Sequence, residues 1–243
     1  MIMSRLEELM KQRPIKNEFK LKNEENGPAK VFLYGTVGGY YDGFSLRTIQ
    51  NALKEIDSDE IELHINSYGG DLFEGIAIKN LLRSRDEKIT IYIDGIAASA
   101  ASIVAMAGNE IIMPSDSQLM IHNPWTVAFG NAKELHKVAD DLEKMQSSLE
   151  KTYIDRFVGT EDELRKLLDE ETYLTAEECV VFGLADKIDS EENDNQADDE
   201  ISAKDTLIQR IAAEKLKKPA ADIKKENKGN DLLKNLIKVM EEK

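Results

Sequence analysis

The chain has 243 residues, with 47 acidic against 32 basic side chains and a formal net charge of −15. That length can bury one substantial core plus an appendage, and the charge disfavours a nucleic acid or an anionic membrane as the main partner. The single cysteine, Cys179, excludes an intramolecular disulfide framework and a multi-cysteine zinc site.

The opening MIMSRLEELMKQRPIK lacks the apolar run of a signal peptide. No apolar run approaches the ~20 residues of a membrane helix. With the cysteine usage, this gives the expectation of a cytoplasmic protein without membrane contact. Residues 1–29 read as a charged N-terminal segment in which KNEENGPAK is a loop leading into the fold.

KVFLYG (30–35), IELHIN (61–66) and ITIYID (89–94) are short runs rich in β-branched and aromatic residues, the pattern of buried strands. EIIMP and QLMIH are weaker strand candidates. GFSLRTIQNALKEI and DLFEGIAIKNLLRS, which separate the first three runs, repeat their apolar residues at the helical period. Strands alternating with helices of this length predict an α/β layer with parallel strands.

Three capping boxes follow: Asn131 with Glu134, Thr160 with Glu163, and Thr175 with Glu178. From the first, Leu135, Val138, Leu142, Met145 and Leu149 form a seam on a helix ending near Phe157, about 40 Å long at ~1.5 Å per residue. A helix that long outreaches a small core. Its seam is expected to meet another subunit, with packing on its own domain as the alternative. The compact pattern closes with LADKIDS. Residues 190–243 then form an acidic linker and a charged tail with two weakly amphipathic stretches.

Two strand-to-helix junctions carry chemistry. In HINSYGGDLFEG (64–75) a strand ends at Asn66, two glycines follow, and Asp71 can cap the next helix. Glycines let backbone N–H groups turn toward a ligand, whether phosphate, carboxylate or developing oxyanion. In GIAASAASIVAMAG (95–108) Ser99 sits among alanines at the second junction. Serine is a weak nucleophile without a base in hydrogen-bond reach. Of three histidines, His64 lies within a strand, His136 among polar residues on the long helix, and His122 at the end of QLMIH, where a strand end meets a loop.

Together INSYGG (65–70), GIAASAAS (95–102), MIHNP (120–124) and YLTAEECVVFGLADKI (173–188) resemble, in order and spacing, the proteolytic subunit of the Clp proteases. The resemblance covers about residues 30–189, leaving 1–29 as an N-terminal segment and 190–243 as a tail. It implies an α/β fold of the kind shared by Clp peptidases and crotonases, a spiral of ββα units with a long protruding handle helix. It implies that Ser99 attacks the scissile carbonyl, that His122 is its base, and that the N–H groups of Gly70 and Ala100 hold the oxyanion. Ser102, one helical turn on, is expected to face the interior.

The third member departs from the family's aspartate. Glu171 in DEETYLTA takes that position, with Asp169 and Glu170 as alternatives; Tyr68 stands where the family usually has proline. The resemblance further implies polypeptide substrates, paired heptameric rings, no cofactor, and in many members an AAA+ unfoldase. No GxxxxGK[ST] loop is present, so any ATP hydrolysis would come from a partner. The tail and Glu171 look more like phage-encoded relatives that process capsid or scaffold protein than like the housekeeping subunit. A crotonase-type acyl-CoA enzyme, a Ser–Lys peptidase and an inactive ring-forming scaffold are the rival readings. The absence of G-x-S-x-G and the order Ser, His, acid argue against an α/β-hydrolase.

Overall fold

A computed structural model describes residues 5–23, 27–39 and 43–189. The tail expected over 190–243 lies outside the described residues.

Helix α1 (Arg5–Gln12) and strand β1 (Glu18–Lys22) precede β2 (Ala29–Val37), β3 (Gly43–Phe44) and α2 (Leu46–Leu53). Next come β4 (Glu60–Gly70), α3 (Leu72–Arg83), β5 (Lys88–Ala98), α4 (Ala100–Ala105), β6 (Glu110–Pro114) and β7 (Gln118–Ile121). The chain continues through α5 (Ala132–Ile154), α6 (Glu161–Asp169), β8 (Thr172–Thr175), α7 (Ala176–Val181) and β9 (Lys187–Asp189). The charged N-terminal segment thus contributes a helix and a strand ahead of the loop read in KNEENGPAK. Its β1 pairs antiparallel with β2 and extends the sheet, because Phe19 and Leu21 find apolar partners in the core.

The sheet is mixed. Its main path runs β1-β2-β4-β5-β6-β9, parallel from β2 onward. Ile61, Leu63 and Ile65 of β4 alternate with Ile89, Ile91 and Ile93 of β5 to face the helices, all at most 1% exposed, as the two-residue period of a strand requires. On the opposite face the rings of Phe32, His64 and Tyr92 stack, and His64 Nδ1 lies 3.0 Å from Asp94. His64 is thus a packed sheet residue, and His136 is exposed on α5.

Two registers meet on β5. Its first half pairs with β6 through Thr90, Ile91 and Tyr92, whereas Ile96, Ala97 and Ala98 pair with β7. The β4–β5 ladder shifts between Ile65 and Ser67, so that Ser67 pairs with Ala97. Such an irregularity re-aims a strand, and here it turns the ends of β4 and β5 toward β7 and β8. β8 runs antiparallel to β7.

The small residues after β5 have a packing cause. All six residues of α4 are buried, and a Cβ on Gly75 of α3 would stand 2.9 Å from the Ala100 carbonyl oxygen. Only a glycine against an alanine lets the two helices approach so closely. Gly75→Val should therefore destabilise the fold by about 1–3 kcal/mol through overpacking, measured by urea unfolding.

Candidate active site

Ser99 follows the last residue of β5 with φ 54° and ψ −125°. Ser99 and Glu171 (φ 49°) are the only non-glycine residues with positive φ among the described residues. Such backbone costs of order 1–3 kcal/mol and survives only where the surroundings enforce it. At Ser99 they do. Its N–H donates to the Met120 carbonyl at 2.9 Å, and its own carbonyl accepts from the N–H groups of Ser102 and Ile103.

The glycine turn abuts this corner. Gly69 has φ 98°, and a Cβ there would lie 2.7 Å from Ser99 Cβ and 2.6 Å from the Ala98 oxygen. Ser67, fully buried, locks the turn: its hydroxyl donates to the Gly35 carbonyl at 2.5 Å and accepts from the Gly69 N–H at 3.0 Å. Asp71 then caps α3 by accepting from the Glu74 N–H at 2.8 Å.

His122 stands one residue past β7, with Nε2 2.7 Å from Ser99 Oγ. Burial lowers the imidazole pKa from its ordinary value of 6.5, because desolvation penalises the cation. The ring is therefore neutral at pH 7 and able to accept the serine proton. A hydroxyl bonded to such a base is a nucleophile pair.

Three acids are expected to compete for this histidine; none hydrogen-bonds it among the described residues, and their surroundings differ. Asp169 accepts from Asn123 Nδ2 at 2.6 Å, and the Asn123 N–H donates to the Leu168 carbonyl. Glu170 lies 3.9 Å from Lys166, with both side chains exposed. Glu171 keeps a buried Oε1 with no hydrogen-bond partner among the described residues. The β7–β8 ladder ends with Ile121 paired to Thr172, so His122 follows and Glu171 precedes that last pair.

Glu171 also sits just past the α6 cap in left-handed backbone, where helices usually place glycine. A glutamate there bears a conformational cost for its side chain.

Ser102 is fully buried, as expected for the residue one turn on. Its hydroxyl donates to the Ser99 carbonyl at 2.6 Å and so accepts from the Tyr153 hydroxyl, 2.8 Å away. Burial pushes the Tyr153 pKa up, which keeps this hydroxyl a donor. Neither Ser67 nor Tyr153 could be singled out in the sequence, because each acts through contacts between distant segments.

Ser99 and His122 open into a cleft of about 530 Å³ that is also lined by Gly70 and Ala100. Its far wall is Val138, Leu142, Met145 and Leu149 of α5, and its rim includes Phe73, Trp125 and Val127. The seam expected to meet another subunit thus walls the cleft of its own chain, apart from Leu135, which is exposed.

A family model described as Clp protease matches residues 31–192. The chain belongs to the Clp protease family. It is a serine-type peptidase of the Clp kind, and the mixed α/β architecture agrees with that fold. Membership carries, in general terms, ring oligomers and polypeptide substrates. No helix among the described residues is long and apolar enough to cross a membrane, and no group of metal-ligating side chains is present among them. The α1 and β1 elements lie outside the matched residues.

Glu171→Gly should raise stability by about 1 kcal/mol, since glycine relieves the left-handed backbone. Urea unfolding measures this gain independently of any activity.

Proposed function

We propose that the chain is a serine endopeptidase in which Ser99 is the nucleophile, His122 the general base and acid, and Glu171 the acid that orients the imidazole. The observation that carries this reading is the 2.7 Å contact between Ser99 Oγ and His122 Nε2 in a cleft wide enough for a peptide.

Ser99 Oγ bonds to the scissile carbonyl carbon while its proton passes to His122 Nε2. The oxyanion is received by the N–H groups of Gly70 and Ala100, both lining the cleft. The Ala100 N–H is the first of α4 and has no intrahelical acceptor. Each such donor is worth ~2.7–4 kcal/mol of barrier. Collapse breaks the C–N bond as His122 gives its proton to the leaving amine. Water, activated by the same imidazole, then releases the acyl group. In this reading the Glu171 carboxylate, which adjoins the last pair of the β7–β8 ladder as His122 does, turns to the ring and stabilises the imidazolium that forms twice per turnover.

The apolar side chains of α5 give the cleft affinity for apolar peptide side chains. In the assembled particle we read α5 as the handle helix, which joins stacked heptameric rings and encloses the sites. The narrower setting, processing of capsid or scaffold protein in phage assembly, rests on Glu171 and on the charged segment 190–243. Co-purification with a AAA+ unfoldase in place of shell proteins would replace it with a protein-turnover role.

A fluorophosphonate probe should label Ser99, and both labelling and peptide hydrolysis should vanish in Ser99→Ala and in His122→Ala. CoA-thioester turnover that survives Ser99→Ala would instead establish a crotonase-type enzyme. Glu171→Gln should keep the fold and lower kcat by roughly 10²–10⁴; an unchanged kcat would remove Glu171 from the mechanism.

The pH profile follows from the lowered His122 pKa. The base form is needed and burial disfavours its protonation, so kcat/KM should hold on acidification past the ordinary value of 6.5 before falling. A midpoint above that value would mean that a neighbouring carboxylate, and not burial, sets the titration of the imidazole.

A further inference from the structure

Helix α1 lies outside the family match, yet it packs against the strand ends that carry all parts of the proposed site. Leu6 is 4% exposed and forms a small buried cluster with Ala98 and Met120, against which Met10, Tyr68 and Tyr173 also pack. Four of these partners stand within two positions of a site residue or the glycine turn. Ala98 precedes Ser99, Met120 stands two before His122, Tyr68 precedes the glycine turn, and Tyr173 stands two after Glu171.

The alternation of the strands explains the placement. Ala97, Leu119, Ile121 and Leu174 point into the main core. Their neighbours Ala98, Met120 and Tyr173 point to the other face, and α1 supplies the apolar cover there. Ala98 and Met120 are register partners between β5 and β7, and the Met120 carbonyl accepts the Ser99 N–H. Leu6 therefore bears on the pair of residues that fixes the strained Ser99 backbone.

We propose that α1 is a brace for the active site and that Leu6 is a positioning residue. Through Ala98 and Met120 it holds Ser99 in the backbone conformation that places its hydroxyl on His122. The inference rests on the peptidase reading for its kinetic consequence, but its structural content does not. Packing under a strained residue is what lets strain persist. Removing the side chain lets the β5–β7 ends relax while the main core, on the opposite face, stays whole.

The test compares full-length wild-type, Leu6→Ala, Leu6→Met and Leu53→Ala proteins. Leu53 of α2 is 5% exposed in the main core, so its truncation makes a cavity away from the brace. Leu6→Ala should lower kcat for a peptide substrate, and the rate of fluorophosphonate capture, tenfold or more with KM within twofold. Leu6→Met should recover both to within threefold of wild type. Leu53→Ala should keep both within threefold despite its loss of Tm. A Leu6→Ala protein no slower than Leu53→Ala at equal loss of Tm overturns the brace. Should Leu6→Ala be unfolded at the assay temperature, Leu6→Val carries the same comparison.

A second readout is independent of turnover. The ring ¹⁵N signals of His122 report its hydrogen bond to Ser99; they should shift in Leu6→Ala and stay in place in Leu53→Ala. Unchanged signals in Leu6→Ala overturn the brace. A wild-type protein that shows the bonded signal yet neither hydrolyses peptide nor reacts with the probe overturns the peptidase reading alone.

Discussion

The hydrogen bond from the Ser99 N–H to the Met120 carbonyl is the constraint on which the site depends. It ties the end of β5 to the end of β7, two segments whose side chains must otherwise find each other across more than twenty residues of chain. Once the ends are tied, His122 follows two residues after the acceptor and reaches the Ser99 hydroxyl. The bond forms because β5 leaves the β6 register after Tyr92 and takes up β7 from Ile96. The shift in the β4–β5 ladder turns the glycine corner toward the same place.

Around that bond the molecule spends conformational strain and recovers it in packing. Ser99 and Glu171 both adopt backbone that L-residues avoid. At Ser99 the compensation is threefold: α4 in the core, Gly69 pressed against the serine, and the Ser102–Tyr153 pair beneath its carbonyl. At Glu171 the adjoining strand and the Asn123 contacts with the end of α6 hold the turn. Where the backbone would prefer glycine the chain carries a carboxylate, and its buried Oε1 has no hydrogen-bond partner among the described residues.

Helix α5 links the core to the cleft. Its C-terminal end is anchored by buried Leu149, Thr152 and Tyr153, the last of which reaches Ser102. Its apolar seam walls the cleft, and beyond the cleft its surface is mostly exposed. The same helix thus joins the core beneath Ser99 to the wall of the cleft.

The sequence alone determined the helix caps, the strand cores and the pairing of Ser99 with His122, because these rest on local patterns or on motifs whose order is itself informative. Asn131, Thr160 and Thr175 cap their helices by hydrogen bonds three residues long in sequence, and alternating isoleucines define a strand wherever it goes. The rest was decided by tertiary structure. The charged N-terminal segment forms a helix and a sheet strand over residues 5–22, because Leu6, Phe19 and Leu21 gain apolar surroundings from the rest of the fold. The seam of α5 faces its own cleft because the fold brings α5 over Ser99. The separate surroundings of three consecutive acids, Asp169 on Asn123, Glu170 near Lys166 and Glu171 with a buried oxygen, are likewise set by tertiary packing. Local sequence sets which backbone shapes are cheap; only the folded chain sets which side chains share a space, since contact between distant segments is a property of the whole packing.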